Sequence, residues 1–212
     1  HMTVLSSIIV FKISIIRTNN MTEKEKMLKG EVYQPWNEEL IDERDDCTTA
    51  LIAYNSTSPR DRAYLDEKIK SLIHASGELM IEQPFQCVYG YNIEVGYNFY
   101  AKKNLSIEDT NKVIIGNQVT IGANVTILTS ITPYNEQDRS LGYERSMPVF
   151  IHDHVYIGGG SVICPNVRIN QGAYIIPGSV VTNDIPPYVI AGGNPCKIIR
   201  AIEAKDVRRN EK

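Results

Sequence analysis

The chain reads as mainly β, a long coil of short strands stacked under a small helical cap. Three observations predict this. The 212 residues hold 28 Ile and 16 Val against 10 Leu, and beyond residue 80 the balance is 32 Ile plus Val against 3 Leu. β-branched side chains lose rotamer freedom in helices and suit strands. Beyond residue 80 the aliphatics recur every six positions, whereas residues 22–76 carry helical spacing, capping residues and half of the Leu. The length predicts one full domain with an appendage. With 42% hydrophobic and 22% charged residues and a net charge of −3, the composition is that of a globular chain and not of a disordered, collagen-like or membrane-embedded one. No basic bias calls for nucleic acid.

Residues 1–20 are read as an extension. His1-Met2 resembles a cloning scar, and the apolar run Ser7 to Phe11 is broken by Lys12 and Arg17. It lacks the basic start and cleavage site of a signal peptide and is too short to span a bilayer. Residues 21–80 form the cap. Thr22 with Glu25 three places on is a capping box, opening a helix from Lys24 to Gly30. A second helix is expected from Glu38 to Tyr54 and a third from Arg60 to Ala75, separated by Asn55-Ser56-Thr57-Ser58-Pro59.

Residues 81–190 are organised by the repeat. From Ile151 the chain divides into IHDHVY, IGGGSV, ICPNVR, INQGAY, IIPGSV and VTNDIP, with an aliphatic opening every line. The fifth place is small or aliphatic throughout. Upstream the same register holds Ile115, Ile121 and Ile127, and more loosely Val95, Ala101 and Ile107. A period of six matches neither helix nor isolated strand. It suits a short strand plus a corner, three of which close a triangular coil of about 18 residues with its aliphatics stacked inside; residues 83–186 would make five to six coils. The Gly, Asn and Asp that follow the aliphatic are expected at left-handed corners. Antiparallel sandwiches spread their strands over less regular spacings. Residues 129–147 project from the coil as a loop, and 191–212 form a C-terminal tail. Cys47, Cys87, Cys164 and Cys196 show neither C-x-x-C pairing nor a nearby His, so they read as reduced thiols of a cytoplasmic protein without a metal.

On these residues the chain resembles the hexapeptide-repeat acyltransferases of the maltose and galactoside O-acetyltransferase type. The likeness runs from Met21 to Ile202. It rests on the opening M-T-E-K-E-K-M-L-K-G, on Tyr89-Gly90-Tyr91-Asn92-Ile93, on Val155-Tyr156-Ile157-Gly158-Gly159-Gly160, on Gly178 to Pro187, and on Ala191 to Arg200. The resemblance implies a left-handed parallel β-helix, a homotrimer with sites between subunits, acetyl-CoA as donor and a sugar-like or other small hydroxyl acceptor. It implies no metal, membrane or nucleic-acid partner. In that family a loop His in a T-x-x-H-P context takes the acceptor proton. Here the loop reads Thr129-Ser130-Ile131-Thr132-Pro133, so Thr132 stands where the base is expected. The family's Y-A-N becomes Tyr100-Ala101-Lys102. Glu144 matches the carboxylate that would orient the His, or is a solvated loop acid. Asp109 matches the acid closing an I-x-D step, or caps a turn. On the donor side the resemblance points to Gly159, Pro177, Thr182, Asn183, Lys197 and Arg200, with Tyr156 in place of a Trp and Asn183 in place of a Lys. His152 and His154 sit at a corner and read as turn residues. With the base missing, the alternative is an impaired or non-catalytic trimer that binds a ligand or acts as a scaffold.

Overall fold

The computed structural model describes residues 21–206; the extension at residues 1–20 and the end of the C-terminal tail lie outside it. Helix α1 (Glu23–Lys29) begins at the predicted capping box, with Thr22 Oγ1 accepting from the Glu25 amide at 3.1 Å and the Glu25 carboxylate accepting from the Thr22 amide at 2.9 Å. Gly30 stops it in the left-handed conformation. Helices α2 (Glu38–Ser56) and α3 (Arg62–Leu72) start at Asn37 and Asp61, whose side chains accept from the first turn. Helix α3 ends earlier than its spacing suggested. Ile73 is already extended, and the next two residues, His74–Ala75, form a strand paired with Ile93–Val95. The first coil therefore begins inside the segment read as cap.

Three parallel sheets wrap the core as the faces of a prism. Face one stacks His74–Ala75, Ile93–Val95, Val113–Ile115, Val149–Ile151 and Arg168–Ile169. Face two stacks Leu79–Ile81, Phe99–Ala101, Thr120–Ile121, Tyr156–Ile157, Tyr174–Ile175 and Val189–Gly192, and Lys197–Ala201 closes its foot antiparallel. Face three stacks Phe85–Cys87, Leu105–Glu108, Thr126–Leu128, Val162–Ile163 and Val180–Val181. The predicted aliphatic positions are the inward ladders. Val95, Ile115, Ile151, Ile169 and Ile185 lie on one, Ala101, Ile121, Ile157, Ile175 and Ala191 on the next, and Ile107, Ile127, Ile163 and Val181 on the third. All are at most 2% exposed, and each such Ile contributes roughly 1.5–3 kcal/mol of burial.

Two details differ from the expected eighteen-residue coil. Ile151 pairs with Ile169 at that spacing, but Val95 pairs with Ile115 and Ile107 with Ile127 twenty residues apart. The two extra residues sit where face three passes to face one, at 88–92 and again at 108–112. The corner glycines also divide into two kinds. Left-handed backbone falls on the fourth place of the repeat, at Asn98, Asn104, Gln118, Asn124, His154, Gly160, Asn166, Gly172 and Gly178. The glycines directly after the aliphatic are not left-handed. They let coils touch: a Cβ on Gly122 would lie 2.3 Å from the Gly159 nitrogen, and one on Gly158 2.3 Å from the Pro177 nitrogen.

The cap seals the top of the coil. Leu51, Tyr54, Ile69 and Ile73 join the same apolar core as Ile81 and Phe85. Tyr54 donates its hydroxyl to the Ile81 carbonyl at 2.6 Å, and Asn55 both donates to the Phe85 carbonyl and accepts from its amide. The first coil would otherwise leave strand edges open, and such edges invite pairing with other chains.

Candidate functional site

The corner from face three to face one is built unlike the other two. At 88–92 and 108–112 it is widened by two residues, and in the third coil it opens into the projecting loop. The loop leaves on Ser130–Ile131, carries a short helix α4 (Glu136–Ser140) and returns on Arg145–Ser146, which pairs antiparallel with the outgoing strand. Its base is a buried polar network. Thr129 Oγ1 donates to the Glu108 carbonyl, meets Thr110 Oγ1 at 2.9 Å and accepts from the Asn111 amide at 3.0 Å. Asn111 Nδ2 donates to the Met27 carbonyl at 3.1 Å and to Ser146 Oγ at 3.2 Å, while Ser146 Oγ donates to the same carbonyl at 2.6 Å. Loop base, wide corner and the C-terminal turn of α1 are thus one unit. None of Thr110, Asn111 or Ser146 was singled out from sequence, and Thr129 was read only as the start of the loop motif.

Thr132, Glu144 and Asp109 all belong to this edge. Thr132 follows the outgoing strand and is exposed. Glu144 is half-buried, exchanges backbone hydrogen bonds with Tyr33 and accepts the Tyr33 hydroxyl at 2.9 Å. Burial first, and the Glu144 charge second, hold the Tyr33 phenol well above its usual range. Asp109 is fully buried. Its Oδ1 accepts from the Val88 and Tyr89 amides at 2.8 and 2.9 Å, so it does cap the corner above, while Oδ2 has no partner. Burial pushes its carboxyl up to about 6 against the pull of these amides.

The remaining residues divide between other places. Lys102 is exposed at the corner from face two to face three. Beside it Glu82 accepts from the Tyr100 hydroxyl at 2.5 Å, a bond that, with Lys102 and Lys103 nearby, holds Glu82 below the usual carboxylate range. Gly159 and Pro177 occupy the same edge lower down and are stacked in successive coils, where the Gly178 amide donates to the Gly159 carbonyl at 2.9 Å. A Cβ on Gly159 would meet the Ala123 carbonyl at 2.8 Å, so coil packing accounts for that glycine. Thr182 and Asn183 lie on the Asp109 edge at the last coil, their side chains hydrogen-bonded to each other at 3.0 Å. Lys197 and Arg200 lie on the closing strand at the foot of face two. Lys197 is exposed; Arg200 is clasped by Asp206 through two contacts of 2.6 and 2.8 Å.

Between the Thr132 edge and the Lys102 edge runs the outer surface of face three, with a shallow groove of about 340 Å³ along Gln86, Ser106, Glu108 and Leu128. Burial holds the Glu108 carboxyl above its usual range. A larger cavity, about 930 Å³, lies between α3 and the strand Leu79–Ile81 and is lined by none of the site residues expected from the resemblance. Among the described residues no three His, Cys, Asp or Glu side chains group as metal ligands, and no helix is long and apolar enough to cross a membrane.

Comparison with known proteins agrees with this architecture. Residues 26–77 match the maltose acetyltransferase hexapeptide capping motif, a segment that runs from within α1 through α2 and α3 to the start of the first coil. Galactoside O-acetyltransferase of Escherichia coli is 37% identical over 88% of this chain and 93% of its own length. The crystal structure of a maltose O-acetyltransferase from Clostridium difficile superposes with a TM-score of 0.85 at 41% identity, covering 87% of this chain and all of that one. A galactoside acetyltransferase solved in complex with coenzyme A superposes with a TM-score of 0.83 at 32% identity, covering 91% and 97%. With a parallel β-helix, a helical cap and this extent of identity, the chain belongs to the maltose and galactoside O-acetyltransferase family of hexapeptide-repeat acetyltransferases.

Proposed function

We propose that this protein transfers the acetyl group of acetyl-CoA to the hydroxyl of a sugar-like or similar small acceptor, slowly, because no side-chain base stands at position 132. The acceptor oxygen attacks the thioester carbonyl, its proton departs, the carbon–sulfur bond breaks and coenzyme A leaves as a thiol. A threonine hydroxyl does not accept a proton near neutral pH, so the step forgoes roughly the 10²–10⁴-fold that general-base catalysis supplies. What remains is holding the two substrates together. The observation that carries the reading is the edge itself: an exposed residue 132 on a loop whose return strand is bonded to α1, leaving the same edge of the coil that carries Asp109, with Glu144 on the returning side.

The Thr132 edge and the Lys102 edge are separated by the width of face three, so one chain does not bring them to a single point. A homotrimer in which a second copy presents its own edge would join them. On the donor side the smooth stack of Gly159, Pro177 and Gly178 leaves room for an extended thiol arm, since a Cβ on Gly178 would meet nothing within 4 Å. Lys197 would pair with a phosphate. Arg200 would do so only by giving up Asp206. Four free cysteines support a cytoplasmic setting. Thr132 together with Lys102 favours a second reading, a trimer that binds coenzyme A without turning it over.

Thiol release from acetyl-CoA over a panel of sugars and polyols, measured on this chain and on Thr132→His, tests both. The expected result is slow release by the native chain and a gain below about tenfold in the variant, because Lys102 also departs from the family pattern. Native turnover far above the uncatalysed background would overturn the assignment of an impaired base. Absence of coenzyme A binding in calorimetry would overturn the donor assignment.

A further inference from the structure

Cys47 and Cys87 come from distant parts of the sequence and meet where α2 lies across the first coil. Their Sγ atoms are 3.6 Å apart, with Cys47 buried on the helix and Cys87 half-buried at the end of the strand Phe85–Cys87. Sulfurs in contact from two separate elements need a small side-chain movement to reach the roughly 2.05 Å of a disulfide. Cys87 also has a way in from solvent. It opens onto the face-three groove on one side and, on the other, onto a depression of about 440 Å³ between Thr48, Ile52 and Pro84. Cys164 and Cys196 lie on lower coils, and the Cys47–Cys87 pair is the one thiol–thiol contact among the described residues.

We infer that Cys47 and Cys87 form a redox couple in which a hydroperoxide or a small disulfide closes a bond tying the cap to the coil. With hydrogen peroxide, the Cys87 sulfur attacks one peroxide oxygen, giving a sulfenic acid and one water. Cys47 sulfur then displaces the hydroxyl as a second water, so two thiol hydrogens and two electrons leave the protein. With a small disulfide the intermediate is a mixed disulfide, and two small thiols are released. Contact with Cys47, and then burial, keep Cys87 as the thiol rather than the thiolate, so closure is slow near neutral pH and persists until a dithiol reverses it. The bond would fix a strand that runs directly into Val88 and Tyr89, whose amides hold Asp109. Only that last consequence, a change at the proposed acetyl-transfer edge, rests on the function proposed above.

The experiment exposes the folded full chain to hydrogen peroxide or oxidised glutathione, blocks remaining thiols, and counts them after denaturation. The thiol count should fall from four to two. Peptide mass spectrometry should find Cys47 linked to Cys87. The oxidised protein should melt several degrees higher and return on adding dithiothreitol, because a link across forty residues restricts the unfolded chain. Cys87→Ser and Cys47→Ala should each lose both the two-thiol decrease and the melting shift; the first changes a half-exposed site and guards against a folding defect in the second. A count that stays at four, a link through Cys164 or Cys196, or a link between two chains would overturn the proposal. None of these readouts uses acetyl transfer, so failure here is distinguishable from failure of the proposed activity.

Discussion

Asp109→Asn isolates the energetics of the wide corner. The carboxyl is fully buried, and burial lifts it from 3.8 to about 6. An unfolded chain releases this proton near pH 4, whereas the native chain keeps it to near pH 6. Between those values the native state holds more protons, so stability falls as pH rises through the window, by about 3 kcal/mol in total. Above pH 6 the loss is complete. Asparagine keeps an oxygen for the Val88 and Tyr89 amides and puts an NH₂ where the unpartnered Oδ2 now stands, without any charge to desolvate. Relative to the native chain, the variant should therefore gain about 3 kcal/mol between pH 4 and pH 7.5, or about 6–12 °C of melting temperature for a chain of this size. Thermal or urea unfolding of both proteins across that range reads the difference directly. Parallel stability curves would refute the reasoning, for they would mean that Asp109 ionises in the folded protein as it does in the unfolded one.

Gly158→Ala should destabilise by about 3 kcal/mol or more, since its Cβ would sit 2.3 Å from backbone of the next coil, whereas Gly178→Ala meets open space and carries only the roughly 1–2 kcal/mol of a left-handed residue. Urea midpoints that rank the two in reverse would contradict the division of corner glycines. Ile127→Ala removes a fully buried rung of the face-three ladder and should cost about 2–5 kcal/mol, read as a lower denaturant midpoint at unchanged slope. Asn111→Ala leaves Ser146 and the Met27 carbonyl short of a donor in a buried site; about 1–3 kcal/mol of stability should be lost, with faster hydrogen exchange at residues 144–147.

The ladders were legible because burial inside a prism admits one residue class at one spacing, and Ile151 to Val181 obey it without a gap. The cap helices were legible from Thr22, Glu25 and Gly30. The end of α3 was not: Leu72, Ile73 and Ala75 fit a helix face as well as a strand, and the choice was made by pairing of His74–Ala75 with Ile93–Val95, a contact across twenty residues. The twenty-residue coils escaped for a related reason. Val95, Ala101 and Ile107 keep the six-residue step inside a coil, and the slip occurs between coils, at Asp109 to Lys112, where nothing apolar marks the phase. For the site, the family resemblance pointed to Thr132, Lys102 and Asp109, but their grouping depended on which corner each occupies. Arg200 looked available for a phosphate because its partner, Asp206, lies in a tail without periodicity.

The loop separates residues that folding holds from one that it does not. Its return strand is bonded to the cap at three successive residues: Glu144 to Tyr33, the Arg145 guanidinium to the Gly30 carbonyl at 3.1 and 3.2 Å, and Ser146 to the Met27 carbonyl. The outgoing strand is anchored at Thr129. Position 132 lies beyond both anchors, exposed, past the last ladder pairing of the outgoing strand. A substitution there gives up no burial and disturbs none of the network beneath it, so stability exerts almost no pull on its identity. Asp109, Asn111 and Thr129 are the opposite case, because Asp109 holds the corner at Val88 and Tyr89, Asn111 ties α1 to Ser146, and Thr129 joins the Glu108 carbonyl to the Asn111 amide. Folding alone therefore retains the residues that anchor the loop and leaves the identity of residue 132 to be set by chemistry.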